Sequence, residues 1–195
     1  MKAKACEEII DYISDIQGLK KVKRYGAYDK AFEDSVAEHC YAALVLGLKL
    51  IERFKLTLDF EKVVHAFLFH DIGELGLEYD FDAHSVARDK KLGDKKTEYE
   101  TKAVSSFAKR HGLPWVVDFN KDYRNHATAE ARFVYAVDKL ENTIHMLNVK
   151  GIELQNREGC LAYCDKATAA FGELEPFVNE VKRRVAERFD KEEGK

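Results

Sequence analysis

The sequence predicts an all-α protein. Only two prolines, Pro114 and Pro176, interrupt 195 residues. Ala, Leu, Lys and Glu, the residues that lose least on entering a helix, are abundant. Apolar positions recur at helical spacing, and no regular alternating run is present. Hydrophobic residues make up 46% and charged residues 34%, an ordinary balance for a globular domain. The length suits a single domain, 1–195, with a real core.

Residues 3–17 form an amphipathic helix with Ile9, Ile10, Ile13 and Ile16 on one side. The period lapses over 18–33, where Gly18, Gly26 and Lys20-Lys21-Val22-Lys23-Arg24-Tyr25 predict an ordered basic loop. Asp34 or Ser35 caps a second helix that runs through Val36, Cys40, Leu44, Leu48 and Ile51. His39 lies at the edge of that stripe. Asp59 caps a third helix, apolar nearly all round up to His70, as a buried central helix would be. Residues 75–93, rich in Gly, Asp and aromatic side chains, read as a loop or lid. A charged helix follows from Asp94 to about Arg110, stopped by His111-Gly112-Leu113-Pro114. A short helix spans Trp115–Tyr123, and Thr128 caps a long one from Ala129 to about Val149, closed by Gly151. The stretch 156–188 is helical, broken near Gly172 and Pro176, with a frayed tail behind it. No repeat, linker or domain boundary is apparent.

Net charge is −3, which gives no global argument for nucleic-acid binding. The N-terminus lacks a secretory apolar core, and no apolar run reaches the ~18 residues of a membrane span. Cys6, Cys40, Cys160 and Cys164 are scattered without a framework, as expected of reduced thiols in a cytoplasmic protein.

The chemistry concentrates at His70-Asp71, where the apolar run Val63-Val64-His65-Ala66-Phe67-Leu68-Phe69 breaks off and Ile72-Gly73-Glu74 follows. Burying such groups without a partner is costly, and a bound cation is one of the few environments that offsets it. His39 and Asp138 also stand on buried-looking helical faces. Taken alone, His70 reads as a hydrogen-bonded core histidine as readily as a ligand, and Asp138 reads as a solvated helix residue. Together, two imidazoles and two carboxylates make a mixed N/O set suited to one divalent ion such as Mn²⁺, Co²⁺ or Mg²⁺.

Order and context add more. Asp34-Ser35-Val36-Ala37-Glu38-His39 is followed by His70-Asp71-Ile72-Gly73-Glu74. Then comes Thr128-Ala129-Glu130-Ala131-Arg132-Phe133-Val134-Tyr135-Ala136-Val137-Asp138-Lys139-Leu140-Glu141. This resembles the HD-domain metal-dependent phosphohydrolases, and within them the YfbR-like 5′-deoxynucleotidases, over about residues 18–148. The resemblance implies an all-helical bundle with one divalent metal at its centre, held by His39, His70, Asp71 and Asp138; helices 156–189, beyond it, are expected to pack on that bundle. It implies Glu74 as the catalytic carboxylate. It implies that Arg24 holds the phosphate and that Tyr25, where the family often has Trp, packs near the sugar. A water-orienting aspartate corresponds to Asp80 or Asp82, because the loop after Glu74 departs in length from the family. A substrate-facing lysine falls within 90–96, with Lys95 as the candidate beside Lys90, Lys91 and Lys96.

The implied activity is removal of the 5′-phosphate from deoxyribonucleoside 5′-monophosphates by a homodimeric enzyme. The lysines at 90–96 keep a triphosphate phosphohydrolase on the same metal as an alternative. A non-catalytic metal-stabilised module has no need of Glu74. A two-iron oxygenase needs further histidines, and His84 and His126 stand in no such spacing.

Overall fold

Ser35 opens the helix that carries the first candidate ligand. Its hydroxyl accepts from the Glu38 amide (3.2 Å), while the Glu38 carboxylate accepts from the Ser35 hydroxyl (2.7 Å) and amide (2.9 Å). This reciprocal capping box satisfies backbone donors that a helix start leaves open. It fixes His39 at the end of the first turn of the helix. Ser35→Ala is expected to lower stability by about 1 kcal/mol, read as a lower denaturant midpoint with an unchanged slope.

The computed structural model describes residues 2–24, 34–81, 86, 88–149 and 156–192. Among them are eight α-helices and no strand: α1 (Lys2–Ile16), α2 (Val36–Phe54), α3 (Phe60–Phe69), α4 (Lys90–His111), α5 (Trp115–Arg124), α6 (Ala129–Asn148), α7 (Asn156–Ala170) and α8 (Glu175–Glu192). The expected all-α class holds. Short 3₁₀ turns occupy Gln17–Lys21, Ile72–Glu74 and Gly172–Leu174. Gly151 lies outside the described residues.

The chain divides into two compact units. The first takes in 1–41 and 68–121. Its core gathers Leu19, Val22, Val36, Cys40, Phe69, Ile72, Val104, Phe107, Ala108 and Val116. The segment predicted as a basic loop starts as the 3₁₀ turn Gln17–Lys21, and Leu19 and Val22 anchor it in this core. Beyond them the backbone is extended. Lys23 donates to Glu78 and accepts from Asp80, and Arg24 donates to Asp34. These bonds lay Arg24 alongside the chain that follows Glu74. Helix α4 begins earlier than expected, at Lys90, because Asp89 accepts from the Lys91 and Leu92 amides. It ends as expected at Gly112, which takes the left-handed conformation (φ 65°) of a C-cap glycine.

The second unit takes in 42–67 and 122–195. Phe67 lies directly over Gly47, where a Cβ would come within 2.4 Å of the ring. The glycine lets the ring of α3 lie flush on α2. Phe133 of α6 meets Phe67 and Phe171 edge-on, at 6.1 and 5.3 Å between centroids.

One expectation is corrected. α3 is not buried all round: Val63, Ala66 and Phe67 are buried, but Phe60 and Leu68 are exposed. On α1 the isoleucine stripe is mostly uncovered, with Ile9, Ile10 and Ile13 exposed and only Tyr12 and Ile16 packed against the core. In both helices the packed face is narrower than the apolar face.

Candidate metal centre

The His-Asp pair sits where α3 stops and the chain tightens into the 3₁₀ turn Ile72–Glu74. The Glu74 amide donates to the Asp71 carbonyl at 2.9 Å. This turn points both carboxylates out of one short segment. His39 approaches from the first turn of α2. Its Nε2 lies 3.2 Å from His70 Nε2 and 3.6 Å from Asp71 Oδ2, and His70 Nε2 lies 3.3 Å from the same oxygen. His39 and His70 are buried and Asp71 is partly so.

Three ligand atoms so spaced fit a cation. A point equidistant from them lies about 2.0 Å from each, in the range of bonds from imidazole nitrogen and carboxylate oxygen to a first-row divalent ion. Two imidazole nitrogens facing each other out of water also need a proton or a positive ion between them. The Cys40 thiol stands close by, with its sulfur within 4.8 Å of ligand atoms of His70 and Asp71. Its place next to His39 was the available sequence signal, and the regular apolar stripe concealed it.

Beside this triangle lies a cluster of charge. Glu74 is buried, and Lys96 Nζ sits 3.5 Å from its Oε1, 3.1 Å from Asp80 Oδ1 and 3.2 Å from Glu100 Oε1. Burial raises the Glu74 carboxyl well above the usual carboxylate range. The negative charges of Asp71 and Asp80 and a hydrogen bond shared with Asp80 push the same way, against Lys96. Burial works against the charge on Lys96, but Asp80, Glu74, Glu100 and Asp71 outweigh it and hold the ammonium above its ordinary value. Lys96 is therefore charged, and Glu74 is held as a carboxyl of raised proton affinity beside Asp80.

The structure distinguishes the lysines of 90–96 by exposure. Lys95 is exposed, as are Lys90 and Lys91, and Lys96 is the one turned into the cluster. One residue is a rotation of about 100° on a helix, enough to reverse the direction of a side chain. Asp80 lies in the cluster. Asp82, Tyr25 and His84 lie outside the described residues. Arg24 is buried and follows Lys23, whose backbone bonds to Glu78 and Asp80.

Asp138 belongs to the second unit. It is buried on α6, whose start is fixed by Thr128 accepting from the Ala131 amide at 3.0 Å. Its Oδ2 accepts from Tyr123 (3.1 Å) and Lys139 (2.8 Å), and its Oδ1 from Asn142 Nδ2 (3.0 Å). Burial opposes the charge on Lys139, yet the Asp138 carboxylate and the Tyr163 phenol group hold its ammonium above the ordinary value. Asp138 is thus a buried carboxylate fixed in orientation by Tyr123, Lys139 and Asn142.

A family model described as the HD domain matches residues 16–170. The chain belongs to the HD-domain family. In this HD-domain protein His39, His70 and Asp71 form a His/Asp set able to hold a metal ion. The chain is 28% identical over 169 residues, 85% of its own length and 80% of the relative's, to 5′-deoxynucleotidase HDDC2 of Xenopus laevis. Among solved structures it is similar to a predicted metal-dependent phosphohydrolase from Magnetospirillum magnetotacticum. That match has TM-score 0.73 and 20% identity and covers 94% of this chain and 96% of the other. It is also similar to a conserved hypothetical protein from Pyrococcus furiosus, with TM-score 0.69 and 25% identity over 89% and 99%. No helix among the described residues is long and apolar enough to cross a membrane.

Proposed function

We propose that this HD-domain protein removes the 5′-phosphate from deoxyribonucleoside 5′-monophosphates, using one divalent cation held by His39, His70, Asp71 and Asp138. The observation that carries the reading is the triangle of His39, His70 and Asp71 with Glu74, Asp80 and Lys96 grouped beside it. Co²⁺, Mn²⁺ or Mg²⁺ in such a nitrogen and oxygen set lowers the pKa of water and polarises a phosphoryl oxygen. Glu74 takes a proton from the attacking water as its oxygen bonds to phosphorus. The P–O5′ bond breaks, and the Glu74–Asp80 pair returns a proton to the leaving 5′-oxygen. Arg24 offers a planar fork to two phosphate oxygens, and Lys96 offsets the charge that builds on the phosphoryl group. Tyr25 stays assigned to the sugar by the family resemblance.

The exposure of Lys90, Lys91 and Lys95 favours a monophosphate over a triphosphate, because a single lysine faces the carboxylate cluster and the other three do not extend it into a basic channel. A cytoplasmic homodimer formed by one functional domain over 1–195 completes the proposal. The exposed Ile9, Ile10 and Ile13 supply an apolar stripe that a second copy would cover. A panel of deoxy- and ribonucleotides with each of the three metals tests the activity. Orthophosphate from deoxynucleoside monophosphates is the expected product. Tripolyphosphate or pyrophosphate released from triphosphates, with monophosphates untouched, would overturn it.

A further inference from the structure

The acidic partner of Lys96 that lies farthest along its own helix has no part in the chemistry above. Glu100 stands one turn after Lys96 on α4, its Oε1 3.2 Å from the ammonium and its side chain largely buried. A buried carboxylate is expensive unless it does something for its partner. The backbone of α4 at Glu100 also presses on the catalytic turn. A Cβ on Gly73 would come within 2.9 Å of the Glu100 Cβ and 3.3 Å of its Cα. Only a residue without a side chain lets the helix come this near to the segment that holds Asp71 and Glu74. A second tie runs parallel to the first, with the Tyr99 hydroxyl donating to the Leu75 carbonyl at 3.0 Å. The turn is thus gripped from α4 at two successive residues, and Lys96 reaches from the same helix to Glu74 and Asp80.

We propose that Glu100 is a positioning residue that acts through Lys96 to keep the ammonium between Glu74 and Asp80, and that Gly73 permits the close approach of α4 on which this depends. Lys96 has three carboxylate neighbours and a flexible stem. Glu100, four residues away on the same rigid helix, is the partner whose position does not depend on the loop after Glu74. Without it the ammonium is drawn toward the loop carboxylates. The distances that Glu74 needs for proton transfer then shift by a fraction of an ångström, and misplacements of that order lower rates well before they weaken binding.

The inference rests on the proposed phosphohydrolase reading, and a double-mutant cycle tests it in the metal-loaded protein. Glu100→Gln is expected to lower kcat about 10-fold with KM for the deoxynucleoside monophosphate nearly unchanged. In a Lys96→Met background the same substitution is expected to change kcat by less than about 2-fold, because the residue it acts through is gone. Equal losses in both backgrounds, or no loss in either, overturn the proposal. Glu100→Asp carries the comparison should the glutamine variant fail to fold. A readout independent of turnover separates this failure from failure of the functional reading. The ¹H–¹⁵N signal of the Lys96 ammonium, assigned by its disappearance in Lys96→Arg, is expected to move and exchange faster with water in Glu100→Gln. An unchanged signal refutes the positioning role even in a protein that turns over no nucleotide.

Discussion

Replacing Glu74 with Gln is expected to lower turnover by at least ~10²-fold while bound metal stays at the wild-type level. The carboxyl stands next to the three ligand atoms without belonging to their triangle, and Lys96 and Asp80 are its close partners. The substitution keeps shape and removes only the capacity to take a proton. The same variant is expected to be more stable than wild type near neutral pH when both are metal-free. Burial and the charges of Asp71 and Asp80 raise the Glu74 carboxyl in the folded state. As pH climbs past the ordinary carboxylate range, the unfolded chain gives up this proton first, so it binds fewer protons than the folded chain. Stability therefore falls as pH rises from that range toward the raised value and stays lower above it. Glutamine removes this loss. Denaturant unfolding at several pH values reads the effect as a flatter pH dependence in the variant. Full turnover in Glu74→Gln would remove the residue from the chemistry, and a loss of metal in parallel with activity would make it a ligand instead. Stability gained with activity lost is the usual mark of a group held for its function.

His39, His70 and Asp71, three of the proposed ligands, were legible because their residue types are expensive to bury and because each sits at a helix end that local sequence defines, whereas Asp138, midway along α6, was legible only through the family motif. Ser35 and Glu38 announce the start of α2 in the letters S-V-A-E, and so fix where His39 falls on the first turn. The pair His70-Asp71 announces itself where apolar character stops. Lys96 was not separable from Lys95 by sequence. The choice depends on the phase of α4, which turns on whether Asp89 or Asp94 begins the helix, and both are acceptable caps. Glu100 and Gly73 lie 27 residues apart in a pairing that no local period encodes. The exposed side of α3 was misread for a related reason. Amphipathic pattern shows how wide an apolar face is, and only the packed chain shows how much of that face a neighbour covers.

Asp71→Ala and His39→Ala are each expected to leave the purified protein with little bound metal and to lower activity by ~10³-fold or more, since an open divalent site needs its full ligand set both for affinity and for activating water. The triangle is tight, with mutual distances of 3.2, 3.3 and 3.6 Å. Removing one corner leaves two atoms of the triangle, with Asp138 as the remaining proposed ligand, an incomplete set that holds a cation weakly. In the wild type, adding metal at about 100 times its dissociation constant should stabilise the fold by about 2.7 kcal/mol, read as a rise in Tm that a chelator reverses. The two variants should show almost none of that rise. Asp138→Asn should show an intermediate one, because the amide keeps one acceptor oxygen for part of the Tyr123, Lys139 and Asn142 donor set and ligates more weakly than a carboxylate. Because imidazole and carboxylate bind a cation only when deprotonated, the rise should shrink as pH falls. Should Asp138→Asn respond to metal like the wild type while Asp71→Ala does not, the cation is held by the first unit alone and the four-ligand assignment fails.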